Sequence, residues 1–166
     1  MALIALGGNL PHPRFGPPRN TLEEALRRLE AAGCQMLARS RWYRSAPVPP
    51  SGQPDFVNGV ALLRTALDPE RLLALLHRVE LDLGRARGER NAPRTVDLDL
   101  LAQGALVRSA EGPAPILPHP RMLERGFVLK PLCDIAADWR HPLSGRPARE
   151  HLAALDPEDA IEPCTE

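Results

Sequence analysis

The sequence predicts an α+β domain of the ferredoxin-like class, in which an antiparallel sheet carries packed helices. Segments with strand and helix patterns follow one another in the order strand, helix, strand, strand, helix, strand, which is the split βαβ arrangement. Hydrophobic residues make up 43% and charged residues 25% of the 166 residues, which is enough apolar material for one core. We therefore expect a single domain over residues 1–166, with residues from about 156 to 166 forming a loosely ordered tail.

The first strand and the first helix are predicted near the start of the chain. Residues 2–6 are an apolar run closed by the Gly-Gly-Asn sequence of residues 7–9, which indicates a buried strand that ends in a turn. A helix is predicted to start at Thr21, with Glu24 completing a capping box. Gly33 follows the apolar stripe of this helix and fits the C′ position beyond its last turn.

Two more strands and two more helices are predicted further along the chain. Residues 35–44 and 56–66 have strand patterns, and the proline-rich residues 45–54 between them predict a loop. A second helix is predicted to begin at Asp68, because this N-cap residue is followed by a proline at the first helical position. One more helix is predicted over residues 148–155.

Composition excludes several classes of protein. The net charge is zero, so no overall field attracts nucleic acid or an anionic membrane. The sequence contains no apolar run near the roughly 18–20 residues of a membrane span and no basic region typical of a signal peptide. Cys34, Cys133 and Cys164 are far apart and odd in number, which favours reduced thiols over disulfides. We therefore expect a cytoplasmic protein without nucleic-acid or membrane partners.

The last predicted strand, residues 95–101, carries two aspartates, Asp97 and Asp99. Residues two apart on a strand share one face, so these carboxylates lie roughly 6.6 Å apart at a rise of about 3.3 Å per residue. Two carboxylates so placed suit Mg²⁺ ions in a phosphoryl-transfer site. The alternative is a solvated polar face of a half-buried strand, with Leu98 and Leu100 facing the core.

An arginine-rich loop comes directly before this strand. It contains Arg85, Arg87, Arg90 and Arg94 within ten residues. Guanidinium groups bind phosphate oxygens in bidentate fashion, and metal ligands beside them would neutralise a polyphosphate from both sides. The alternative is a solvated loop without a ligand.

Three more residues are candidates for binding a ligand, and each also has a purely structural explanation. His119 lies between two prolines and either donates to a phosphate or caps a turn. Asn58 interrupts an apolar strand, where an unpaired amide costs about 1–3 kcal/mol, so it needs a partner such as the edge of a heterocycle. Phe127 either stacks on that ring or packs in the core.

Six motifs, in order, resemble those of the 6-hydroxymethyl-7,8-dihydropterin pyrophosphokinase (HPPK) family. They are ALGGNL (5–10), YRSAPV (43–48), QPDFVN (53–58), ELDLGR (80–85), PRTVDLDL (93–100) and LPHPR followed by RGFVL (117–129). The resemblance runs from residue 2 to about residue 135. Gly8 stands where members usually have serine, and Asn91 stands where some have tryptophan.

The resemblance implies an HPPK-type α/β/α sandwich and a defined reaction. The diphosphate of ATP would be transferred to the hydroxymethyl group of 6-hydroxymethyl-7,8-dihydropterin, with release of AMP, in folate biosynthesis. It also implies two Mg²⁺ ions, with ATP and the pterin as partners. We expect a monomer, although the sequence itself does not determine the oligomeric state.

The resemblance also implies roles for individual residues. The catalytic residues would be Arg85, Arg94, Asp97 and Asp99, of which Asp97 and Asp99 would hold the metal ions. ATP would be bound by Glu80, Arg87, Arg94, Leu100, His119 and Arg125. The pterin would be bound by Ser45, Ala46, Val48, Phe56, Asn58, Asp97 and Phe127.

Two other classes remain open from the residues alone. A ferredoxin-like module that senses nucleotide or metal would explain the size and fold, and it would bind ATP without releasing AMP. A small RNA-binding domain would need a basic surface and exposed strand aromatics, which the zero net charge and 4% aromatic content disfavour.

Overall fold

The computed structural model describes residues 1–85, 92–112, 114–156 and 161–165. In these ranges the chain forms β1 (Ala2–Gly8), α1 (Pro18–Ala31), β2 (Gln35–Arg39), β3 (Tyr43–Ser45), β4 (Phe56–Arg64), α2 (Pro69–Asp82), β5 (Asp97–Gln103), a 3-10 turn (Met122–Glu124), α3 (Gly126–Ala136), α4 (Ala148–Ala153) and β6 (Glu162–Pro163). None of the helices in these ranges is long and apolar enough to cross a membrane.

The strands form one antiparallel sheet in the order β5–β1–β4–β3–β6, and β2 pairs with the other end of β4. Within it, Gly7 of β1 is paired with Asn58 of β4 on one side and with Asp97 of β5 on the other. These three residues therefore form a row across the sheet, close to the end at which the candidate site lies.

Helices cover both faces of the sheet, which confirms the predicted sandwich of an antiparallel sheet and helices. Helices α1 and α2 share one face, as the ferredoxin-like pattern predicts, and their leucines pack there with Ile4 and Leu6. Helices α3 and α4 cover the opposite face, where Val128 and Leu132 pack with Leu3. Burial of apolar side chains on both sides is what holds the central strands in place.

Strand β5 separates apolar and acidic side chains as the alternating pattern predicts. Val96, just before the strand, and Leu98 and Leu100 are buried in the core beneath α1 and α2. Asp97 and Asp99 are only partly buried and lie on the face that α3 covers. The period of two therefore presents both carboxylates to one side of the sheet.

The capping box predicted at Thr21 is wrong. Helix α1 begins three residues earlier, at Pro18, because a proline at the first position already has a helical φ and needs no hydrogen-bonded N–H. Thr21 lies inside the helix with its hydroxyl buried and without a hydrogen-bond partner. Glu24 instead accepts hydrogen bonds from Arg27 and Arg28.

The strand predicted over residues 35–44 is divided into β2 and β3. The break lies at Ser40, whose hydroxyl accepts a hydrogen bond from Val60 N at 3.0 Å and donates to Arg41 O at 2.7 Å. The Ser40 side chain thus takes the place of a main-chain acceptor for Val60 N, which interrupts the hydrogen-bond ladder between the strands. Trp42 then packs flat against β4 at Gly59, where a Cβ atom would lie 2.7 Å from the indole ring.

Two elements near the end of the chain differ from the sequence patterns. Helix α3 was not predicted, because Pro131 in its middle is a residue that usually ends helices. Strand β6 pairs with β3 in a stretch for which the sequence predicts a loosely ordered tail, and Cys164 N donates to Trp42 O at 2.8 Å. The other tail residues, 157–160 and 166, lie outside the described residues.

The predicted start of α2 is confirmed, and it gives a test of helix capping. The Asp68 carboxylate accepts a hydrogen bond from Arg71 N at 2.8 Å. We expect Asp68→Ala to lower the free energy of unfolding by about 1 kcal/mol, since one N–H of the first turn loses its acceptor. Urea denaturation measures the change, and Asp68→Ser, which keeps an acceptor, should retain most of the stability. Equal losses in both variants would contradict the capping role.

Candidate active site

A cavity of about 420 Å³ opens where β1 ends and β4 and β5 begin, on the face of the sheet that α3 covers. It brings together twelve of the residues for which the sequence predicts a role. They are Ser45, Ala46, Val48, Phe56, Asn58, Arg85, Arg94, Asp97, Asp99, His119, Arg125 and Phe127. The size suits a small-molecule site.

Among the described residues, two predicted site residues, Leu100 and Glu80, are not part of this lining. Leu100 is buried in the core on the opposite face of the sheet. Glu80 is also buried, at the end of α2, where its carboxylate accepts a hydrogen bond from Leu98 N at 2.6 Å and pairs with Arg85. Arg87 lies outside the described residues, as do Arg90 and Asn91 of the same loop.

Asp97 is held by two guanidinium groups. Its Oδ1 accepts a hydrogen bond from Arg85 Nη1 at 2.6 Å, and its Oδ2 accepts one from Arg94 Nη1 at 2.6 Å. Burial, and then the charge of Asp99, raise the pKa of the Asp97 carboxyl, while the two arginines oppose the shift. The guanidinium groups therefore offset the cost of keeping this carboxylate ionised in a partly dry site.

Asp99 is more open, and its charge faces the start of α3. Arg125 Nη1 lies 3.8 Å from Asp99 Oδ2, and the Asp99 side chain is 38% exposed. Burial lowers the pKa of the Arg125 guanidinium, and the charge of Arg121 adds to that shift. Each of the two aspartates therefore lies beside at least one arginine of the cavity.

The other side of the cavity combines an amide with aromatic rings. Asn58 is buried, and its Nδ2 donates to Ser45 Oγ at 2.8 Å, so the amide has found the partner that the sequence requires. A Cβ atom on Gly7 would lie 3.3 Å from Asn58 Oδ1, so glycine there leaves the amide uncrowded. Phe56 and Phe127 border the same cavity, with arginines 5.9 Å and 5.4 Å from their ring centres.

His119 takes part in a turn and also lines the cavity. Its Nδ1 accepts a hydrogen bond from Arg121 N at 3.2 Å, so the neutral imidazole carries its proton on Nε2. Burial lowers the pKa of the His119 ring, although the nearby Asp99 carboxylate opposes that shift. The ring therefore favours the neutral form, which can donate one hydrogen bond from Nε2.

The donor set on β5 fits magnesium that arrives with a phosphate ligand. Asp97 and Asp99 offer carboxylate oxygens on one strand face, and within the described residues no group of three or more acidic, histidine or cysteine side chains could hold a metal. Mg²⁺ commonly binds one or two carboxylates together with substrate phosphates and water. Two aspartates beside several arginines match that pattern.

Among the residues that received no role from the sequence, two are important for the geometry of the site, Arg121 and Asn9. Arg121 lines the cavity, and its place in the LPHPR motif was the available signal. Asn9 is buried at the end of β1 and binds both segments that flank the cavity. Its position after two glycines indicated only a turn, because its partners lie 44 to 85 residues away in the sequence.

Comparison with known proteins gives the family of this chain. Residues 3–137 match the model of the 7,8-dihydro-6-hydroxymethylpterin-pyrophosphokinase (HPPK) family. The chain belongs to the HPPK family. Over 160 residues it is 43% identical to a 2-amino-4-hydroxy-6-hydroxymethyldihydropteridine pyrophosphokinase of Pseudomonas aeruginosa, covering 96% of this chain and 93% of the relative. A Synechocystis protein of the same name is 40% identical over 156 residues, covering 93% of this chain and 76% of the relative.

Longer proteins contain an HPPK-like part as well. The chain is 39% identical over 142 residues to the folic acid synthesis protein fol1 of Pneumocystis carinii, but it spans only 18% of that protein. The crystal structure of wild-type Plasmodium falciparum HPPK-DHPS superimposes with a TM-score of 0.69 at 12% identity, covering 92% of this chain and 40% of the other. This likeness shows that the fold is that of HPPK.

The buried Glu80 of this HPPK chain gives a pH-dependent prediction. Burial raises the pKa of its carboxyl from 4.5 to about 7, against the opposing effects of the Leu98 N–H and Arg85. The folded state therefore binds the proton more tightly than the unfolded chain. The stability that this carboxyl contributes is full below about pH 4.5 and is lost as the pH rises through about 7.

We expect Glu80→Gln to remove this component. The free energy of unfolding of the unmodified protein, minus that of the variant, should fall between about pH 5 and about pH 7.5. Urea denaturation at constant ionic strength measures both values. A difference that stays constant across this range would mean that folding leaves the Glu80 pKa unchanged.

Proposed function

We propose that this chain transfers the diphosphate of ATP to the hydroxymethyl group of 6-hydroxymethyl-7,8-dihydropterin, with release of AMP, in tetrahydrofolate biosynthesis. The observation that carries the proposal is one cavity in which the Asp97 and Asp99 carboxylates, several guanidinium groups and the Asn58 amide face each other. Membership of the HPPK family and the names of the relatives support it. The catalytic residues in this proposal are Arg85, Arg94, Asp97 and Asp99.

The phosphate side of the cavity suits a polyanion accompanied by dications. Within the part of the chain that the structure describes, four arginines, at positions 85, 94, 121 and 125, share the lining with two aspartates. Asp97 and Asp99 are the residues that would hold two Mg²⁺ ions. When bound, the metal offsets negative charge on the phosphates and on the oxygen that leaves with AMP.

Arginines at this site have a second role besides holding Asp97. Arg85 and Arg94 both bind Asp97 at the start of β5. Guanidinium groups also bind phosphate oxygens in bidentate fashion. They would thus stabilise the diphosphate as its charge shifts during transfer. Arg125 and the Nε2–H of His119 would hold other parts of ATP, together with Arg87. Glu80 and Leu100, which the HPPK resemblance assigns to the nucleoside side, are buried outside the cavity lining, so the geometry lends their assignment no support.

On the side of the cavity opposite the proposed phosphate site, the Asn58 amide and the two phenylalanine rings could bind a planar heterocycle. Asn58 would pair with the pterin edge, while Phe127 and Phe56 would bind its faces. Ser45, Ala46 and Val48 would contact the pterin from the loop after β3, as the HPPK resemblance implies.

In this arrangement the hydroxymethyl oxygen attacks the β-phosphorus in line with the bridging oxygen to the α-phosphorus. The new oxygen–phosphorus bond forms as the bond between the bridging oxygen and the β-phosphorus breaks, and AMP leaves with that oxygen. Asp97 is the candidate acceptor of the hydroxyl proton, since its carboxylate lines the cavity between the phosphate side and the amide side. Positioning by Asn58 and Phe127 would keep the hydroxyl pointed at the phosphorus.

We also propose that the chain acts as a monomeric single domain in the cytoplasm, with ATP and the pterin as its only partners. The helices of the described ranges include none that could cross a membrane, and the cavity is built from β1, β3, β4, β5, α3 and their adjoining segments. Sedimentation at the concentration used for the enzyme assay tests the monomeric state.

The test of the reaction is AMP formation from MgATP with and without the pterin alcohol. We expect AMP to appear only with the pterin and in equal amount to the diphosphorylated product. Asp99→Asn should lower turnover by about 100-fold or more, because the isosteric amide removes one ligand charge. ATP binding without any AMP would favour the nucleotide-sensing module, and unchanged turnover in the variant would contradict the metal-binding role of Asp99.

The pterin role of Asn58 has a separate test. We expect Asn58→Ala to weaken pterin binding by about 10- to 100-fold, since the amide loses its hydrogen bonds to the heterocycle. Affinity for MgATP, measured by titration calorimetry, should change by less than about threefold. Asn20→Ala, which removes an exposed amide outside the cavity lining, is the matched control. Equal losses of affinity for both substrates would argue against the assignment.

A further inference from the structure

Asn9 has an unusual set of contacts for a residue at the end of a strand. It is only 2% exposed, directly after β1. Its Nδ2 donates to Gln53 Oε1 and to Pro54 O, both at 3.1 Å, and its Oδ1 accepts a hydrogen bond from Arg94 N at 2.9 Å. One planar amide therefore contacts two segments that are 40 residues apart in the chain.

The two segments lie on opposite sides of the proposed reaction. Residues 53–54 belong to the loop between β3 and β4, which lines the pterin side of the cavity. Arg94 belongs to the segment before β5, and its guanidinium binds Asp97 on the phosphate side. Strand β1 lies between β4 and β5 in the sheet. Asn9, directly after β1, therefore lies between the segment that leads into β4 and the segment that leads into β5.

Main-chain bonds also connect the end of β1 to the phosphate-side segment. Asn9 N donates to Arg94 O at 2.9 Å, and Leu10 N donates to the same oxygen at 3.2 Å. A Cβ atom on Gly8 would lie only 2.5 Å from Thr95 O, so the two backbones are in direct contact. These bonds persist with any side chain at position 9, whereas both bonds to residues 53–54 come from the Asn9 amide nitrogen.

We propose that Asn9 is a positioning residue that couples the binding of the two substrates. This rests on the proposed function, since it assigns one substrate to each segment. A substrate that orders one segment would fix the Asn9 amide plane and thereby reduce the entropy that the other segment loses on binding the second substrate. The side chain contacts neither reacting atom and acts through the loops.

Asn9→Asp is the sharpest variant, because it keeps the shape of the side chain while it replaces the donor by a second, negatively charged acceptor. The carboxylate still accepts a hydrogen bond from Arg94 N, but its second oxygen would face Pro54 O without a proton to share, so the bond to the main chain of the pterin-side loop is lost. The main-chain link to the pterin side should be lost while the link to the phosphate side remains.

Titration calorimetry with α,β-methylene-ATP, Mg²⁺ and the pterin alcohol measures the coupling. Each ligand is titrated alone and in the presence of the other, using the full chain. In the unmodified protein we expect each ligand to raise the affinity for the other by about tenfold or more, within the usual range for coupled sites. The coupling ratio is the affinity for one ligand in the presence of the other, divided by its affinity alone. In Asn9→Asp this ratio should fall to within about twofold of unity, with affinity for the nucleotide alone changed less than about threefold.

Controls separate coupling from loss of structure. Asn20→Ala removes an exposed amide that donates to Phe15 O at 2.9 Å, and it should leave the ratio unchanged. Gln53→Ala removes one of the two acceptors from a partly exposed loop, and we expect it to lower the ratio by about threefold. This variant provides the test if Asn9→Asp does not fold.

The outcomes distinguish this proposal from the proposed function. Full coupling in Asn9→Asp, or lower affinity for each ligand alone with the ratio retained, would overturn the role of Asn9. AMP formation without measurable coupling in the unmodified protein would also overturn it while the proposed reaction stands. Failure of the unmodified protein to bind the pterin or form AMP would instead reject the proposed function.

Discussion

The cost of keeping carboxylates ionised in a partly dry site is the constraint on which the rest of this site depends. Glu80 and Asp97 both have raised pKa values, chiefly because of burial, and Asp99 adds its charge beside Asp97. Arg85 contacts both Glu80 and Asp97, and Arg94 binds the other oxygen of Asp97. Without a ligand, the carboxylates and the arginines therefore compensate each other's charge. When a nucleotide binds with its dications, the dications can compensate the carboxylates and the phosphates can compensate the arginines.

The sheet gives this charged cluster its geometry. The row of Asn58, Gly7 and Asp97 crosses the neighbouring strands β4, β1 and β5, so the amide side and the acidic side of the cavity have a fixed separation. Residue 7 has no side chain to fill the space between them. Side chains on sheet strands are held more precisely than those on loops, which is what in-line transfer between two bound substrates needs.

Local patterns predicted much of the fold, and long-range contacts explain most of what they missed. The Asp-Pro sequence at residues 68–69 and the alternation in β5 depend on neighbouring residues, so they were visible in the sequence. Pro18 moved the start of α1 away from Thr21, and Pro131 concealed α3, because propensity is outweighed where tertiary contacts support a helix. The motifs indicated which residues line the cavity, but they gave no sign that Asn9 would join segments brought together only by folding.

Gly8 and Asn9 together determine how near the phosphate-side segment lies to the sheet. The contact at Gly8 exists only because that residue has no Cβ atom, since even a methyl group would meet Thr95 O at 2.5 Å. This close approach lets the Asn9 backbone bond to Arg94 O, and the side chain can then reach Arg94 N as well. A Cβ atom at position 8 would therefore require one of the two backbones to shift. Gly8 and Asn9 thus set the position of the Arg94 main chain, and with it the place from which the Arg94 guanidinium reaches Asp97.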